Sequence, residues 1–416
     1  MKTLALVSLG CAKNAVDLQV RAGGYLKKGW VLSTDPDRAD AVLVNTCAFI
    51  ASAREEAESE IRRALALKAS GKYGRVIVAG CYPERYPKRA SAFPGVDEWL
   101  GVPQTWKEQT VPGLRLTGKA FAYLKIAEGC SHRCSYCAIP SIRGAYRSRP
   151  ARSILREARA LVESGCRELN IVAQDPMAWS DGRRRLPDLL RMIDGIRGDF
   201  WVRVLYSYPS EIMDEFLKWM KESPHAVKYI DVPIQHTVPE ILEKMNRKGA
   251  VAATLSAASR LRAEIPGVTL RTTVMTGFPG ETERRFRRLL SDLKAMEFDK
   301  LGAFSYSPEE GTAGASMRGR PSAAVARERE RLVMAQQRTI WAKRAAKLVG
   351  QTFRALVVAP GVARLPSQAP DVDGAVFLEG SAAEAPVGEF LDVRLASRSG
   401  FDFVGRVAHS TRRKGK

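Results

Sequence analysis

The chain has 416 residues, which is more than one ordinary domain contains and predicts two or three domains. Its 66 Lys and Arg outnumber its 45 Asp and Glu, and the net charge of +21 favours a polyanionic partner such as RNA, or else reflects a generally basic surface. No run of eighteen apolar residues exists, so we expect no membrane span. The first residues lead into a strand-like segment without the pattern of a signal peptide, so we expect a cytoplasmic protein.

Residues 3 to about 105 alternate short apolar runs with helical stretches. The runs cover residues 4–9, 41–44 and 76–79. An amphipathic stretch from Ser52, with Glu55 three residues later, predicts a helix that starts with a capping box. Strands and helices in alternation predict an open, parallel α/β sheet.

From residue 121 onward, six β-rich runs can each be paired with a helical stretch. The runs cover residues 122–126, 168–173, 201–206, 227–232, 270–275 and 301–306, and the helices lie near 151–165, 186–197, 210–222, 238–246, 253–264 and 282–296. Six β–α units predict an α/β barrel or partial barrel, with its chemistry at the C-terminal ends of the strands. Residues 321–348 predict one long, charged helix that links the barrel to the tail.

The tail changes character over residues 350–410. Four short strands with Gly and Pro between them predict a small β-barrel, and they cover residues 353–358, 374–378, 389–395 and 403–407. The last residues, 411–416, are a basic end that we expect to be frayed.

Three cysteines stand close together after the first strand of the barrel. Cys130, Cys134 and Cys137 have the spacing C-x3-C-x2-C, which suits a cubane iron–sulfur cluster whose fourth iron stays open for S-adenosylmethionine. The alternative is a structural zinc site with His132 as the fourth ligand, but this histidine lies between the first two thiols, where joint ligation is awkward. With the preceding strand and the aromatic Tyr136, the spacing matches the signature of the radical S-adenosylmethionine superfamily.

Three single cysteines share one position relative to the predicted N-terminal strands. Cys11, Cys47 and Cys81 each follow the C-terminal end of a strand, and such ends meet at one edge of a parallel sheet. Single free cysteines are usually unrelated buried thiols. Three at equivalent positions favour a second cluster with three protein ligands. Two clusters with open irons indicate the insertion of sulfur at an unactivated C–H bond.

The chain resembles the methylthiotransferase family along its whole length. Residues 8–14, which read Ser-Leu-Gly-Cys-Ala-Lys-Asn, are similar to the branch that modifies an aspartate of small-subunit ribosomal protein twelve. The branch that acts on adenosine in tRNA usually begins with Gly-Cys-Gln-Met-Asn instead. Other stretches that agree with the ribosomal-protein branch are residues 123–130, 139–144, 231–236, 277–282, 306–312 and 369–374.

The resemblance implies an N-terminal methylthiotransferase domain (1–110), a radical S-adenosylmethionine core (116–348) and a C-terminal TRAM domain (349–416). It implies two 4Fe-4S clusters, one on the cysteine triplet and an auxiliary one on the three single cysteines. S-adenosylmethionine is then both radical source and methyl donor, and a methylthio group is added to the β-carbon of the aspartate. The implied partners are the ribosomal protein or the assembling small subunit, rRNA near the TRAM domain, an electron donor and a sulfur source.

Two other functions remain as alternatives. The first is a 2-methylthiotransferase for tRNA adenosine that carries an N6-isopentenyl or threonylcarbamoyl group, which shares both clusters and the TRAM domain. The second is an iron–sulfur RNA-binding protein without turnover, which would produce no deoxyadenosine.

Four further residues are candidates for binding S-adenosylmethionine by resemblance. Tyr136 lies within the cysteine loop, and Gly277, Gly280 and Glu281 lie in a Gly-rich turn after the fifth barrel strand. The sequence Gly-Phe-Pro-Gly also forms plain tight turns, so the turn alone does not establish this role.

Other polar residues near the predicted strand ends have structural explanations. His236, which follows Gln235 after the fourth strand, is more often a hydrogen-bonded structural histidine than a proton carrier. Arg143 either binds a carboxylate or forms a salt bridge within its domain. Cys166 lies in a turn at a helix end, and we expect it to have no role in either cluster.

One loop departs from the family pattern. Gln174 and Asp175 are retained after the second barrel strand, but residues 176–179 read Pro-Met-Ala-Trp where the family usually has Thr-Ser-Ala-Tyr. The departure removes hydroxyl groups from a loop that borders the predicted active site.

Overall fold

The computed structural model describes residues 1–103 and 114–408. The N-terminal elements are β1 (Thr3–Ser8), α1 (Ala12–Leu26), β2 (Val31–Leu32), β3 (Ala39–Thr46), α2 (Ala51–Ala69), β4 (Tyr73–Gly80), α3 (Cys81–Arg85) and β5 (Glu98–Leu100). The strands form one parallel sheet in the order β2-β1-β3-β4-β5. Strands β3 and β4 are apolar and largely buried, as expected in a parallel sheet with helices on its faces. The predicted open α/β sheet is confirmed.

Helix α2 begins without the predicted capping box. Its N-cap residue, Ile50, offers no side-chain hydrogen bond, and Ser52 lies inside the helix. The N–H of Ala51 instead donates to Oε1 of Glu309, 2.8 Å away, in the segment after the last barrel strand. A carboxylate at this position satisfies a free N–H and also interacts favourably with the positive end of the helix dipole.

The same carboxylate holds the N-terminal sheet against the barrel. Glu309 accepts hydrogen bonds from Arg54, from Nη1 of Arg85 at 3.0 Å and from Oγ of Ser307 at 2.6 Å. The side chains of Glu309 and Arg85 are only 2% and 6% exposed. The contact is therefore a buried ion pair between distant segments, and its two charges depend on each other.

We expect Glu309→Ala to lower the free energy of unfolding by about 3 kcal/mol, because it leaves Arg85 buried without its counter-charge. Urea unfolding followed by circular dichroism measures the change. The matched control is Glu310→Ala, since Glu310 is the exposed neighbour, and it should alter stability by less than about 0.5 kcal/mol. Equal losses in both variants would show that the carboxylate of Glu309 is not the cause.

The central part alternates strands and helices. Its elements are β6 (Phe121–Lys125), β7 (Ala127–Glu128), α4 (Ile139–Arg143), β8 (Arg147–Ser148), α5 (Ala151–Glu163), β9 (Glu168–Val172), α6 (Leu186–Asp194), β10 (Trp201–Val204), α7 (Asp214–Glu222), β11 (Tyr229–Asp231), α8 (Pro239–Lys244), α9 (Val251–Glu264), β12 (Thr269–Thr276), α10 (Glu283–Met296), β13 (Lys300–Ser305) and α11 (Ala323–Ala346). Strands β6, β9 and β10 form one parallel sheet, and β11, β12 and β13 form another. A parallel bridge between Val202 and Ala226 connects β10 to the segment before β11. The predicted partial barrel is confirmed.

The predicted pairing of one helix with each strand is wrong at the fourth strand. Helices α8 and α9 both follow β11, and the long helix α11 packs against β13 in addition to linking the barrel to the tail. Gln337 on the buried side of α11 donates to the carbonyl of Phe298 at 2.9 Å. Although α11 is rich in charge, its buried residues recur every three or four positions and give it one face for packing.

The C-terminal part is a closed barrel of five strands. They are β14 (Thr352–Ala359), β15 (Val362–Arg364), β16 (Val376–Glu379), β17 (Phe390–Ser399) and β18 (Asp402–Val407). The order β14-β15-β16-β18-β17 closes because β14 pairs with both β15 and β17. The predicted small β-barrel is confirmed, except that β15, with three residues, is too short for its pattern to reveal. The predicted basic end at 411–416 and the predicted boundary at residue 110 lie outside the described residues.

Buried polar contacts attach the C-terminal barrel to the central one. Glu168 on β9 accepts hydrogen bonds from Arg203, at 2.8 Å, and from Arg364. The hydroxyl of Tyr229 donates to Oδ2 of Asp373 at 2.5 Å. In the ranges 1–103 and 114–408, no helix is long and apolar enough to cross a membrane.

Candidate functional site

The three single cysteines lie at one edge of the N-terminal sheet. Cys11, Cys47 and Cys81 come at the C-terminal ends of β1, β3 and β4, which are neighbours in the sheet. Gly10 permits a close approach of the first two ends, because a Cβ on it would lie 2.9 Å from the Cβ of Cys47. Its φ of +95° also favours glycine. The three thiols thus share the edge that the strand order predicts.

Asn14 connects these three strand ends. Its Nδ2 donates to the carbonyls of Leu9, at 3.2 Å, and Thr46, at 3.0 Å. Its Oδ1 accepts a hydrogen bond from Sγ of Cys81 at 3.4 Å. The sequence pattern does not single out Asn14 as a site residue, because an amide is not a usual cluster ligand. Its place in the helix turn that follows Cys11 is the signal that could have identified it.

The cysteine triplet lies on the loop between β7 and α4. The N–H of Cys137 donates to the carbonyl of Cys134 at 3.0 Å, which folds the second half of the loop into a turn. Gly129, just before Cys130, has φ of +77°, and a Cβ there would lie 2.2 Å from the carbonyl oxygen of Ala145. Only glycine therefore fits at the start of this loop.

His132 is engaged away from the thiols. Its Nε2 lies 2.9 Å from Oδ2 of Asp175, and its ring stacks on Tyr208 with the centroids 4.0 Å apart. The histidine that the zinc alternative needs as its fourth ligand is therefore engaged by Asp175 and Tyr208. Within the part of the chain that the structure describes, no three His, Cys, Asp or Glu side chains converge as a single metal ion requires.

One cavity of about 360 Å³ lies between the two cysteine sets. All six predicted cysteine ligands line it, and all six are free thiols: Cys11, Cys47, Cys81, Cys130, Cys134 and Cys137. Tyr136 lines it as well, and its hydroxyl accepts a hydrogen bond from Arg247 at 3.2 Å. A space bounded by both sets can bring two reactive groups within reach of one substrate.

The Gly-rich turn after the fifth strand does not line this cavity. Glu281 is buried and pairs with Nη1 of Arg329 at 2.8 Å. The N–H of Gly277 donates to Oε2 of Glu281 at 3.1 Å, and the N–H of Gly280 donates to the carbonyl of Gly319 at 2.9 Å. These contacts give the turn a structural role, and its part in binding S-adenosylmethionine stays a prediction.

Two residues that line the cavity have left-handed backbone conformations. Tyr206, after the third barrel strand, has φ of 70°, and Gln235, after the fourth, has φ of 65°. Non-glycine residues rarely adopt this conformation, which costs on the order of 1–3 kcal/mol and concentrates at functional sites. The sequence gives no signal for it at Tyr206. His236 is fully buried and accepts the N–H of Val238 at Nδ1 (3.0 Å), in line with the structural role expected of it.

Arg143 connects the two cysteine sets. Its Nη2 lies 3.2 Å from Sγ of Cys81, and its Nη1 donates to Oδ2 of Asp17 at 2.8 Å. Glu128 accepts from both Arg143, at 3.0 Å, and Lys125, at 2.8 Å, and Lys125 also pairs with Asp17. The expectation of a salt bridge within one domain is wrong in part, because Asp17 lies on α1 while Arg143 lies on α4.

The thiols differ in acidity. Burial raises the pKa of Cys81 and that of Cys137 to about 12. Burial also opposes ionisation of Cys11, but the charges of Lys13 and Arg143 outweigh it and hold the pKa of Cys11 below its ordinary value. Metal binding requires thiolates, so loading Cys81 and Cys137 must release protons.

Models of three protein families match the chain. The Radical SAM superfamily matches residues 124–293, Uncharacterized protein family UPF0004 matches residues 3–101, and the TRAM domain matches residues 349–408.

Curated relatives match almost the whole chain. It is 38% identical to the ribosomal protein uS12 methylthiotransferase RimO of Geobacter sulfurreducens, over 97% of this chain and 98% of the relative. It is 39% identical to the protein of the same name from Moorella thermoacetica, over 98% of this chain and 100% of the relative. The chain belongs to the uS12 methylthiotransferase family. It is a radical S-adenosylmethionine enzyme, and an iron–sulfur cluster and S-adenosylmethionine are part of its chemistry.

Solved structures share the fold of this uS12 methylthiotransferase family member. The radical S-adenosylmethionine methyltransferase TsrM from Kitasatospora setae, with cobalamin and a 4Fe-4S cluster bound, superimposes with a TM-score of 0.52. The match covers 91% of this chain and 82% of TsrM at 17% sequence identity, so it supports the fold alone.

The loop in which this methylthiotransferase departs from its family packs into the core. Trp179 is fully buried and donates from Nε1 to the carbonyl of Arg149 at 3.0 Å, and Met177 is also buried. The retained Gln174 lines the cavity and donates to Oε1 of Glu128 at 2.7 Å. The replaced residues therefore fill space behind the site, while the retained ones face it or, like Asp175, hold His132.

Proposed function

We propose that this enzyme adds a methylthio group to the β-carbon of an aspartate in ribosomal protein uS12, and that it does so with two 4Fe-4S clusters. One observation carries the proposal: two sets of three free cysteines, from two different parts of the fold, line a single cavity. The family supports methylthiotransfer and the ribosomal substrate.

The two cysteine sets would each hold one cluster through three thiolates. Cys130, Cys134 and Cys137 would bind the cluster used with S-adenosylmethionine, and the N-terminal set would bind the auxiliary one. When bound, these groups supply a carbon radical and a methylated sulfur. Three ligands for each cubane leave one iron open, as both activities require.

The remaining residues of the cavity position the reactants and exclude water. Arg247 stacks on Tyr208 at 4.3 Å and donates to Tyr136, so it fixes the wall next to the triplet. Tyr136 is the residue that we propose to contact S-adenosylmethionine, since it lies within the cysteine loop and lines the cavity. Arg143 keeps Cys81 at a fixed distance from the triplet loop.

A second cavity, of about 400 Å³, suggests where a protein substrate approaches. It shares Gly10, Cys11 and Tyr206 with the first cavity, and residues 369–372 of the C-terminal barrel form one wall. We propose that the target loop enters beside this barrel. The exposed Arg398 and the half-exposed Phe377 support contact of the same barrel with rRNA.

The proposal includes three domains, at 1–110, 116–348 and 349–416, and a cytoplasmic protein, because its substrate is a ribosomal component. It also requires an electron donor and a sulfur source. The net charge of +21 is consistent with work on or near the ribosome.

The test is mass spectrometry of isolated uS12 and of total tRNA from cells with and without the gene. We expect one methylthio group on an aspartate of uS12, present only with the gene and restored by the wild-type chain. A methylthio group found only on tRNA adenosine would support the proposed chemistry but contradict the proposed substrate. No change in either, with clusters present, would favour the iron–sulfur protein without turnover.

A further inference from the structure

Lys13 is a cation without a carboxylate partner in the cavity between the two cysteine sets. It lies two residues after Cys11, and its side chain lines the cavity. Its Nζ lies 3.6 Å from the centroid of the Tyr206 ring, on the opposite wall. Among the described residues, no Asp or Glu lies within ion-pair distance of it, whereas Arg143 in the same cavity pairs with two carboxylates.

The helix dipole opposes the charge of Lys13, and what compensates it inside the fold is mainly the Tyr206 ring and the Cys11 thiol rather than a paired carboxylate. Lys13 lies in the first turn of α1, where the helix dipole opposes a positive charge, and that turn contains no acidic residue. Asp231 is a nearby carboxylate, but it already accepts from Nη1 of Arg271, at 3.0 Å, and from the N–H of Tyr206, at 3.3 Å. A charge that its own helix end disfavours, and that pairs with no carboxylate of the described residues, is expected mainly at functional sites.

A cation beside cysteines can also serve only to neutralise thiolates. Arg143 has that geometry, because its Nη2 lies 3.2 Å from Sγ of Cys81. Lys13 also favours the thiolate of Cys11 through its charge, but its ammonium group lies against the Tyr206 ring on the opposite wall and makes no hydrogen bond to a sulfur atom of the described residues. The ammonium group is therefore placed to contact an anionic group of a ligand that enters the cavity.

We propose that Lys13 binds the side-chain carboxylate of the target aspartate, an inference that rests on the proposed function. In aspartate the β-carbon is bonded directly to the carboxylate carbon. A cation that holds the carboxylate therefore fixes the reacting carbon one bond away, between the two cysteine sets. The negative charge is also what separates aspartate from asparagine, so Lys13 determines specificity as well as position.

The test combines enzyme variants with substrate variants. Lys13→Met should lower kcat/KM for uS12 by about 10- to 100-fold, because a charge-assisted hydrogen bond is lost. For the wild-type enzyme, kcat/KM should fall by a similar factor when the target aspartate of uS12 is replaced by asparagine. Lys13→Met should discriminate little between the two substrates, and Lys13→Arg should retain most of the wild-type preference.

Three further measurements separate this role from support of a cluster. Iron and sulfide content and the electron paramagnetic resonance spectra of Lys13→Met should match those of the wild type. Formation of 5′-deoxyadenosine without uS12 should be unchanged, while the Kd for uS12 should rise. The matched control is Lys2→Met, since Lys2 contacts Trp30 at 5.6 Å in the same manner but lies at the other end of β1.

Each contrary result has one meaning. If replacing the target aspartate by asparagine lowers kcat/KM by the same factor for Lys13→Met as for the wild type, Lys13 does not bind the carboxylate. If Lys13→Met loses iron or alters the spectra, the lysine serves a cluster and the inference is wrong. If the wild-type enzyme leaves uS12 unmodified, the proposed function itself fails, which is evident before any variant is compared.

Discussion

Cys134→Ala is expected to abolish the reductive cleavage of S-adenosylmethionine. Cys134 is the middle residue of the loop that would hold the radical-generating cluster, and it accepts the backbone hydrogen bond from Cys137 that shapes this loop. Two remaining thiolates hold such a cluster poorly. The measurement is 5′-deoxyadenosine formation in reconstituted enzyme, together with iron content. The variant should reach less than about 1% of the wild-type rate, since the radical step has no other source.

Cys47→Ala should give the complementary pattern. It removes a thiolate from the N-terminal set and leaves the triplet loop unchanged, so 5′-deoxyadenosine should still form while methylthiolated uS12 is lost. The control is Cys166→Ala, because Cys166 is buried away from the cavity, with Sγ 3.3 Å from the carbonyl of Glu168. Normal methylthiotransfer by Cys47→Ala, or full radical cleavage by Cys134→Ala, would contradict the assignment of the two sets.

Arg143→Met should destabilise the protein by about 3–5 kcal/mol. Arg143 and Lys125 are the two cations that balance Asp17 and Glu128, and all four side chains are at most 2% exposed. Removing one cation leaves a buried, uncompensated negative charge, which costs far more than the loss of an exposed pair. Urea unfolding of the purified chain measures the difference.

Two variants test the cause of this loss. Arg143→Met combined with Asp17→Asn should recover part of the stability, because one cation then faces one carboxylate. Arg75→Met breaks the ion pair between Arg75 and Glu98, whose side chains are 47% and 31% exposed, respectively. This variant should lower the free energy of unfolding by less than about 1 kcal/mol. A similar loss in Arg75→Met, or no recovery in the double variant, would show that buried charge is not responsible.

The sequence predicts the part of the site that follows from regular structure. Cys11, Cys47 and Cys81 can be assigned to one edge because parallel strands put their C-terminal ends on the same side. The spacing of the triplet predicts a shared ligand role because its three thiols are too close in the chain to be independent. The six barrel strands are likewise evident from their apolar runs.

The sequence does not predict contacts between segments that are far apart in the chain. Glu309 caps a helix that starts 258 residues earlier, and Arg143 pairs with Asp17 across 126 residues. Neither contact has a local pattern, so the sequence predicts a cap at Ser52 and a partner for Arg143 within its own domain instead. The position of Lys13 is similar, since its contact with Tyr206, and the lack of a carboxylate pair among the described residues, become visible only when the neighbouring side chains are placed.

The origin of the cavity walls has a consequence for how the enzyme matures. The residues around the cavity extend along the chain from Gly10 to Arg247, whereas its last thiol is Cys137, so all six thiols are synthesised before the cavity walls are complete. Until then the N-terminal cysteines lack the cavity wall that the barrel residues provide. The enclosed cavity is therefore a late product of chain synthesis, formed after every one of its cysteines has been made.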